Sequence, residues 1–146
     1  MSYEAEQFEK DVKDCDITSA EKLSPELVKK FGQMFLNGSK NMVKKYNGLI
    51  PMVWHGDMGV GIKQAKMKVK GIGKLKYQSY NGYISFVVEL QVDAGDEIFK
   101  KAEVEWTNTN ETIQRAINGN PGRISVNIDA ETREGKEVSY QVGIDL

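Results

Sequence analysis

Few residues in this chain have the type and spacing to do chemistry. The one histidine, His55, lies in Trp54-His55-Gly56-Asp57, and an imidazole two residues from a carboxylate can be oriented as a general base. A base needs something to act on. No serine or cysteine is brought into its reach by the sequence, so His55 reads as a loop residue bonded locally. The one cysteine, Cys15, stands among Asp11, Asp14 and Asp16, whose charge opposes the thiolate that a nucleophilic cysteine needs. With a single cysteine and a single histidine, neither an intrachain disulfide nor the usual zinc set can be assembled. Gly56, Gly59 and Gly61 have the loose spacing of a phosphate loop, but a lysine-rich alternating strand follows where such a loop requires a helix start. They read as turns. The expectation is a non-enzymatic protein without catalytic residues, metal or cofactor.

The lysines carry a stronger signal. Within Ala65–Tyr77, Lys66, Lys68, Lys70, Lys74 and Lys76 fall on one parity and Met67, Val69, Leu75 and Tyr77 on the other, so a strand would line five cations on one face. The charge of the whole chain hides this pattern: 20 Lys plus Arg against 21 Asp plus Glu leave a net charge of −1 over 146 residues. Residues 1–26 hold 8 acids and 3 lysines, residues 27–88 hold 11 lysines and only Asp57, and residues 89–146 hold 12 acids and 6 bases. A basic middle between acidic ends calls for an anionic partner or for neutralisation by the other segments. Lysine without arginine suits diffuse attraction to phosphate better than bidentate base recognition.

These residues must be positioned by a short set of elements. Tyr3–Asp14 has Phe8 and Val12 at helical spacing. A second helix opens with Ser24 as N-cap, Pro25 in first position and Glu26 in the first turn. It is expected to bend or break at Asn37-Gly38-Ser39 and to end at Asn47-Gly48. From Leu49 onward the period becomes two. Leu49–His55, Ala65–Tyr77, Tyr83–Val92, Glu97–Thr107, Arg123–Ala130 and Glu137–Leu146 read as strands, with a short helix over Glu111–Ile117. Asn81-Gly82 between Tyr80 and Tyr83 marks a two-residue hairpin. That register sets Tyr77 opposite Phe86, Leu75 opposite Val88, Lys74 opposite Glu89 and Lys70 opposite Asp93. In the third of the barrel strands, Ile98 and Trp106 are expected inward and Phe99, Glu103 and Glu105 outward, while Lys100 falls on the inward parity and implies an open sheet end or a bulge.

The result is an α+β chain, with a helical segment over 1–48 and a β-rich domain over 49–146 in one compact unit. A chain of this length buries roughly two thirds of its unfolded surface, so one real core is expected. The strand order from residue 65, with a helix before the last hairpin, fits an OB-like five-stranded barrel, and an open antiparallel sheet packed on the helices is the alternative. On an OB barrel the outer strands bind oligonucleotides by stacking and phosphate attraction. Tyr80, Tyr83 and Phe99 would stack bases while Lys66, Lys68, Lys70, Lys74 and Lys76 follow the backbone of a single-stranded nucleic acid. Glu89, Glu103 and Glu105 on the same side oppose that reading. The competing expectation is a protein-interaction or assembly subunit that sets its acidic and basic surfaces against a partner or a second copy. No run of about 18 apolar residues is present and the N-terminal residues are acidic and polar, so no membrane span and no Sec export are expected, and the compartment reads as reducing and cytoplasmic.

Overall fold

The computed structural model describes residues 25–56, 61–80, 83–109, 111–113, 115 and 122–146. The expected first helix, Ser24, Cys15, Asp57 and the Asn81-Gly82 turn lie outside the described residues. Helix α1 (Pro25–Lys45) is followed by strands β1 (Leu49–His55), β2 (Ile62–Tyr80), β3 (Tyr83–Val92), β4 (Phe99–Thr109), β5 (Arg123–Thr132) and β6 (Glu137–Asp145).

All six strands are antiparallel and paired in sequence order. The sheet curls around α1 into a nearly closed barrel: β1 and β6 approach each other, but no ladder joins them. An α+β chain with a barrel-like sheet is therefore what folds. Five strands in OB order are not. The sixth strand is β1, which the OB reading left outside. β2 is 19 residues long, enough to pair with β1 over Ile62–Lys68 and with β3 over Val69–Tyr80. An OB barrel would also set its third strand beside its fifth; here β5 lies between β4 and β6.

The sheet's inner face carries the core. Phe31 and Phe35 of α1 sit against Phe86 at centroid distances of 5.1 and 6.0 Å, and Phe31 stacks on Trp106 at 4.9 Å. Around them pack Leu75, Val88, Val104, Val126, Ile128 and Ile144, all buried. Burying large apolar side chains at about 1.5–3 kcal/mol each is what holds helix and sheet together.

Helix α1 runs unbroken through Asn37-Gly38-Ser39. Gly38 is there because a Cβ would lie 2.7 Å from the Asp145 carbonyl oxygen, so only glycine lets the helix approach β6 this closely. The buried Ser39 hydroxyl donates to the Phe35 carbonyl at 2.9 Å, satisfying itself within the helix. The helix ends as the sequence predicts: Asn47 and Gly48 adopt φ of 53° and 77°, and the Gly48 amide donates to the Val43 carbonyl at 2.9 Å.

Candidate functional site

The sheet's outer face is where the charge lies. The β2–β3 register begins as predicted, with Tyr80 opposite Tyr83, Tyr77 opposite Phe86 and Leu75 opposite Val88, and then shifts twice. One extra residue enters β2 between Ile72 and Leu75 and another between Val69 and Gly71. Two single-residue bulges restore parity, so Met67 and Val69 still face the core while Lys66, Lys68, Lys74 and Lys76 face out. The predicted opposition of Lys70 to Asp93 is lost, because Lys70 is the extra residue of one bulge. Glu89 lies across from the other, its carboxylate over Gly73, where a Cβ would meet Glu89 Oε1 at 3.3 Å. All five lysines are exposed, and among the described residues none forms a salt bridge.

The aromatic part of the predicted site holds less well. Tyr83 is 53% exposed beside the lysine strand. Phe99 is fully buried and meets Trp54 edge-on at 5.5 Å, so it is a core residue and no stacking platform. The side chain of Tyr80 is not among those described. Phe99 and Ile98 exchange their expected sides, leaving Ile98 exposed, and the cause is Asp96. Its Oδ1 accepts the amides of Ile98 and Phe99 at 2.8 and 2.7 Å, and its Oδ2 accepts the Lys68 amide at 2.7 Å. This grip turns the chain into β4 with Phe99 inward, and a register shift between Phe99 and Lys101 then returns the strand to phase. Lys100 and Lys101 thereby both reach Glu131 at 3.1 Å, and these two cations hold the Glu131 carboxyl below its usual range.

Asp96 is the residue that sequence reasoning missed. Burial pushes its carboxyl up, but the amides of Lys68, Phe99 and Ile98 and the Lys68 charge outweigh burial and hold it below the ordinary value. Arg133 Nε donates to the Asp96 carbonyl at 2.7 Å, tying the β5–β6 turn to the same corner. The available signal was Asp93-Ala94-Gly95-Asp96, a turn in which an aspartate caps its own following amides.

Opposite the lysines is an acidic field. Cross-strand pairing brings Glu89 to Glu103 and Glu103 to Asp129. Glu103, Glu105 and Asp129 place carboxylate oxygens within 4.8 Å of one another. Glu105 is pushed above its ordinary value, first by the Asp129 carboxylate within hydrogen-bonding reach, then by burial and by the charges of Asp129 and Glu103, with the Thr107 hydroxyl opposing. These oxygens are of the kind that hard cations prefer, although an open strand face supplies few of the six to eight ligands a calcium ion takes. Glu103 and Asp129, but not Glu105, border an open groove of about 840 Å³ that also includes Lys70, Glu131 and Glu137.

His55 is exposed at the end of β1, and its carbonyl accepts Lys136 Nζ at 3.3 Å; its expected partner Asp57 lies outside the described residues. Among those residues no helix is long and apolar enough to cross a membrane. No family model, curated protein or solved structure matches this chain.

Proposed function

We propose that this protein is a non-enzymatic assembly subunit whose outer sheet face docks against a protein surface of complementary charge. The carrying observation is the order of charges across the strands. Lys76 of β2 lies opposite Val87 of β3, which lies opposite Glu105 of β4. Over the two rows that hold Lys74 and Lys76, basic, mostly uncharged and acidic residues thus run side by side, while beyond Glu103 the face of β4 turns basic at Lys101. Such a face attracts a partner banded in the opposite order and holds one of uniform charge more weakly. A polyanion laid along β2 meets the acidic field two strands away, at about 10 Å, little more than one screening length at physiological salt.

A single-stranded nucleic acid is the second reading, favoured by one observation: all five lysines of β2 are exposed and, among the described residues, none forms a salt bridge. Lysines two apart on a strand are about 7 Å from one another, close to the spacing of phosphates along an extended strand. Tyr83 supplies one stacking surface.

Both readings are tested together by anisotropy, with a labelled heptalysine peptide and a labelled ~20-nucleotide strand titrated at low and moderate salt. Peptide binding that is lost when Glu103, Glu105 and Asp129 become Gln, Gln and Asn supports the assembly reading. Binding of the strand that is lost when the five β2 lysines become glutamine, with no peptide binding, replaces it by the second. If neither probe binds at low salt, both fall.

A further inference from the structure

We infer that the partner for this face is a second copy of the same chain, docked about a two-fold axis that runs along β3. The inference rests on the assembly reading and gives it an occupant. A two-fold axis lying in the interface along a strand reverses the lateral order of strands while keeping each residue at its height. With β3 on the axis, β2 of one copy lies over β4 of the other. Lys74 and Lys76 then meet Glu103 and Glu105 twice, once on each side of the axis, as an isologous contact requires.

Three features of the face fit that operation. The register places the charges at matching heights: Lys76, Val87 and Glu105 share one cross-strand row, so each Lys76 comes over the other copy's Glu105 with the two Val87 side chains between. Lys74 sits in the bulge opposite Glu89, and Glu89 pairs with Glu103, so Lys74 comes over the other copy's Glu103. Next, the outward residues of β3 are mostly uncharged, with Tyr83, Ser85, Val87 and Gln91 on the axis strand. The exception, Glu89, is folded over Gly73 toward β2, which takes its carboxylate off the axis. Finally, neither band is neutralised within its own chain: the β2 lysines form no salt bridge among the described residues, and Glu103, Glu105 and Asp129 crowd one another.

The outer face of β2–β5 measures roughly 20 by 26 Å, and because it is the convex outside of the barrel less than its roughly 500 Å² closes against a second copy. Standard interfaces bury about 800 Å² per partner, so the dimer belongs to the weak, salt-sensitive class.

Sedimentation equilibrium of the full chain tests this over a wide range of protein concentration. At about 0.01 M ionic strength, where charges are felt over about 30 Å, a reversible dimer is expected; at about 1 M, where the reach is about 3 Å, it dissociates. Two charge-reversed variants make the test specific: K74E with K76E, and E103K with E105K, each checked for a native circular dichroism spectrum. Each alone is expected to be monomeric, with self-affinity reduced at least about tenfold. Mixed in equal amounts they should form a heterodimer, because both sides of the two-fold contact become oppositely charged again. Failure of the mixture to associate while the wild type dimerises would overturn the β3 axis. A wild type that stays monomeric at low salt overturns the second copy as partner. If such a monomer still binds heptalysine, the assembly reading survives with another basic partner; if it does not, that reading falls too.

Discussion

Asp96 and Glu105 are both carboxylates attached to β4, one at its entrance and one in its middle, and their ionisation moves in opposite directions. Asp96 is ringed by donors, with three amides aimed at its two oxygens. Glu105 is ringed by acceptors, with Asp129 and Glu103 as neighbours. The first has its bonding capacity filled by the fold and serves the fold. The second is held at a cost that the Thr107 hydroxyl only partly offsets, and a cation from outside would relieve it. A carboxylate whose demands are met internally is architecture; one that is left repelled on a surface is available for binding.

The sharpest attack on this contrast is Phe99→Ala, which keeps the amide that Asp96 accepts but empties the packing beside Trp54. A loss of about 3–5 kcal/mol is expected from urea unfolding. A near-neutral outcome would mean that the corner does not depend on its core contact and that Phe99 was misassigned to the interior.

Asp96→Ala comes next, at about 3 kcal/mol, since the amides of Lys68, Ile98 and Phe99 lose their acceptor together. The pH dependence of stability separates the two carboxylates. Asp96 has a lowered folded value, so its contribution is complete above its unfolded value near 3.8 and is lost as pH falls through the folded one. Glu105 has a raised folded value, so its penalty is present at neutral pH and is relieved as pH falls through that value toward 4.5. Thermal unfolding of the wild type should therefore show a shallow gain on mild acidification and a loss below about pH 4. The Asp96→Asn variant should show a smaller loss in the lower limb, the remainder coming from Glu131, whose value is also lowered.

The smallest effect belongs to Glu105→Gln, which should stabilise the protein at pH 7 by up to about 1 kcal/mol and flatten the upper limb. Destabilisation instead would show that Glu105 is satisfied in the folded chain, and the distinction drawn from it would fail.

Much of this was legible in the sequence. The strand periods of β1, β3, β5 and β6, the helix stop at Asn47-Gly48 and the first part of the β2–β3 register all follow from residues a few positions apart. The sixth strand was also read correctly as a strand, yet its place in the barrel was not. The lysine face was read from alternation and survived because two bulges in β2 cancel. The predicted Lys70–Asp93 opposition did not survive, because Lys70 is itself the extra residue of one bulge. The acidic field was seen only in part: Glu89, Glu103 and Glu105 were placed outward, but Asp129 joins them through a pairing of β4 with β5 across a 13-residue connection.

By itself, then, the sequence determined which face of each strand is apolar, where α1 ends and that β2 carries a line of lysines, because alternation and capping act over a few residues. Only the tertiary structure decided the order of strands, the inward turn of Phe99 and the meeting of Glu103, Glu105 and Asp129. Each of these depends on contacts between segments distant in sequence, made by Asp96 at the entrance of β4, by the β4–β5 pairing and by the shared core, where local preference is silent.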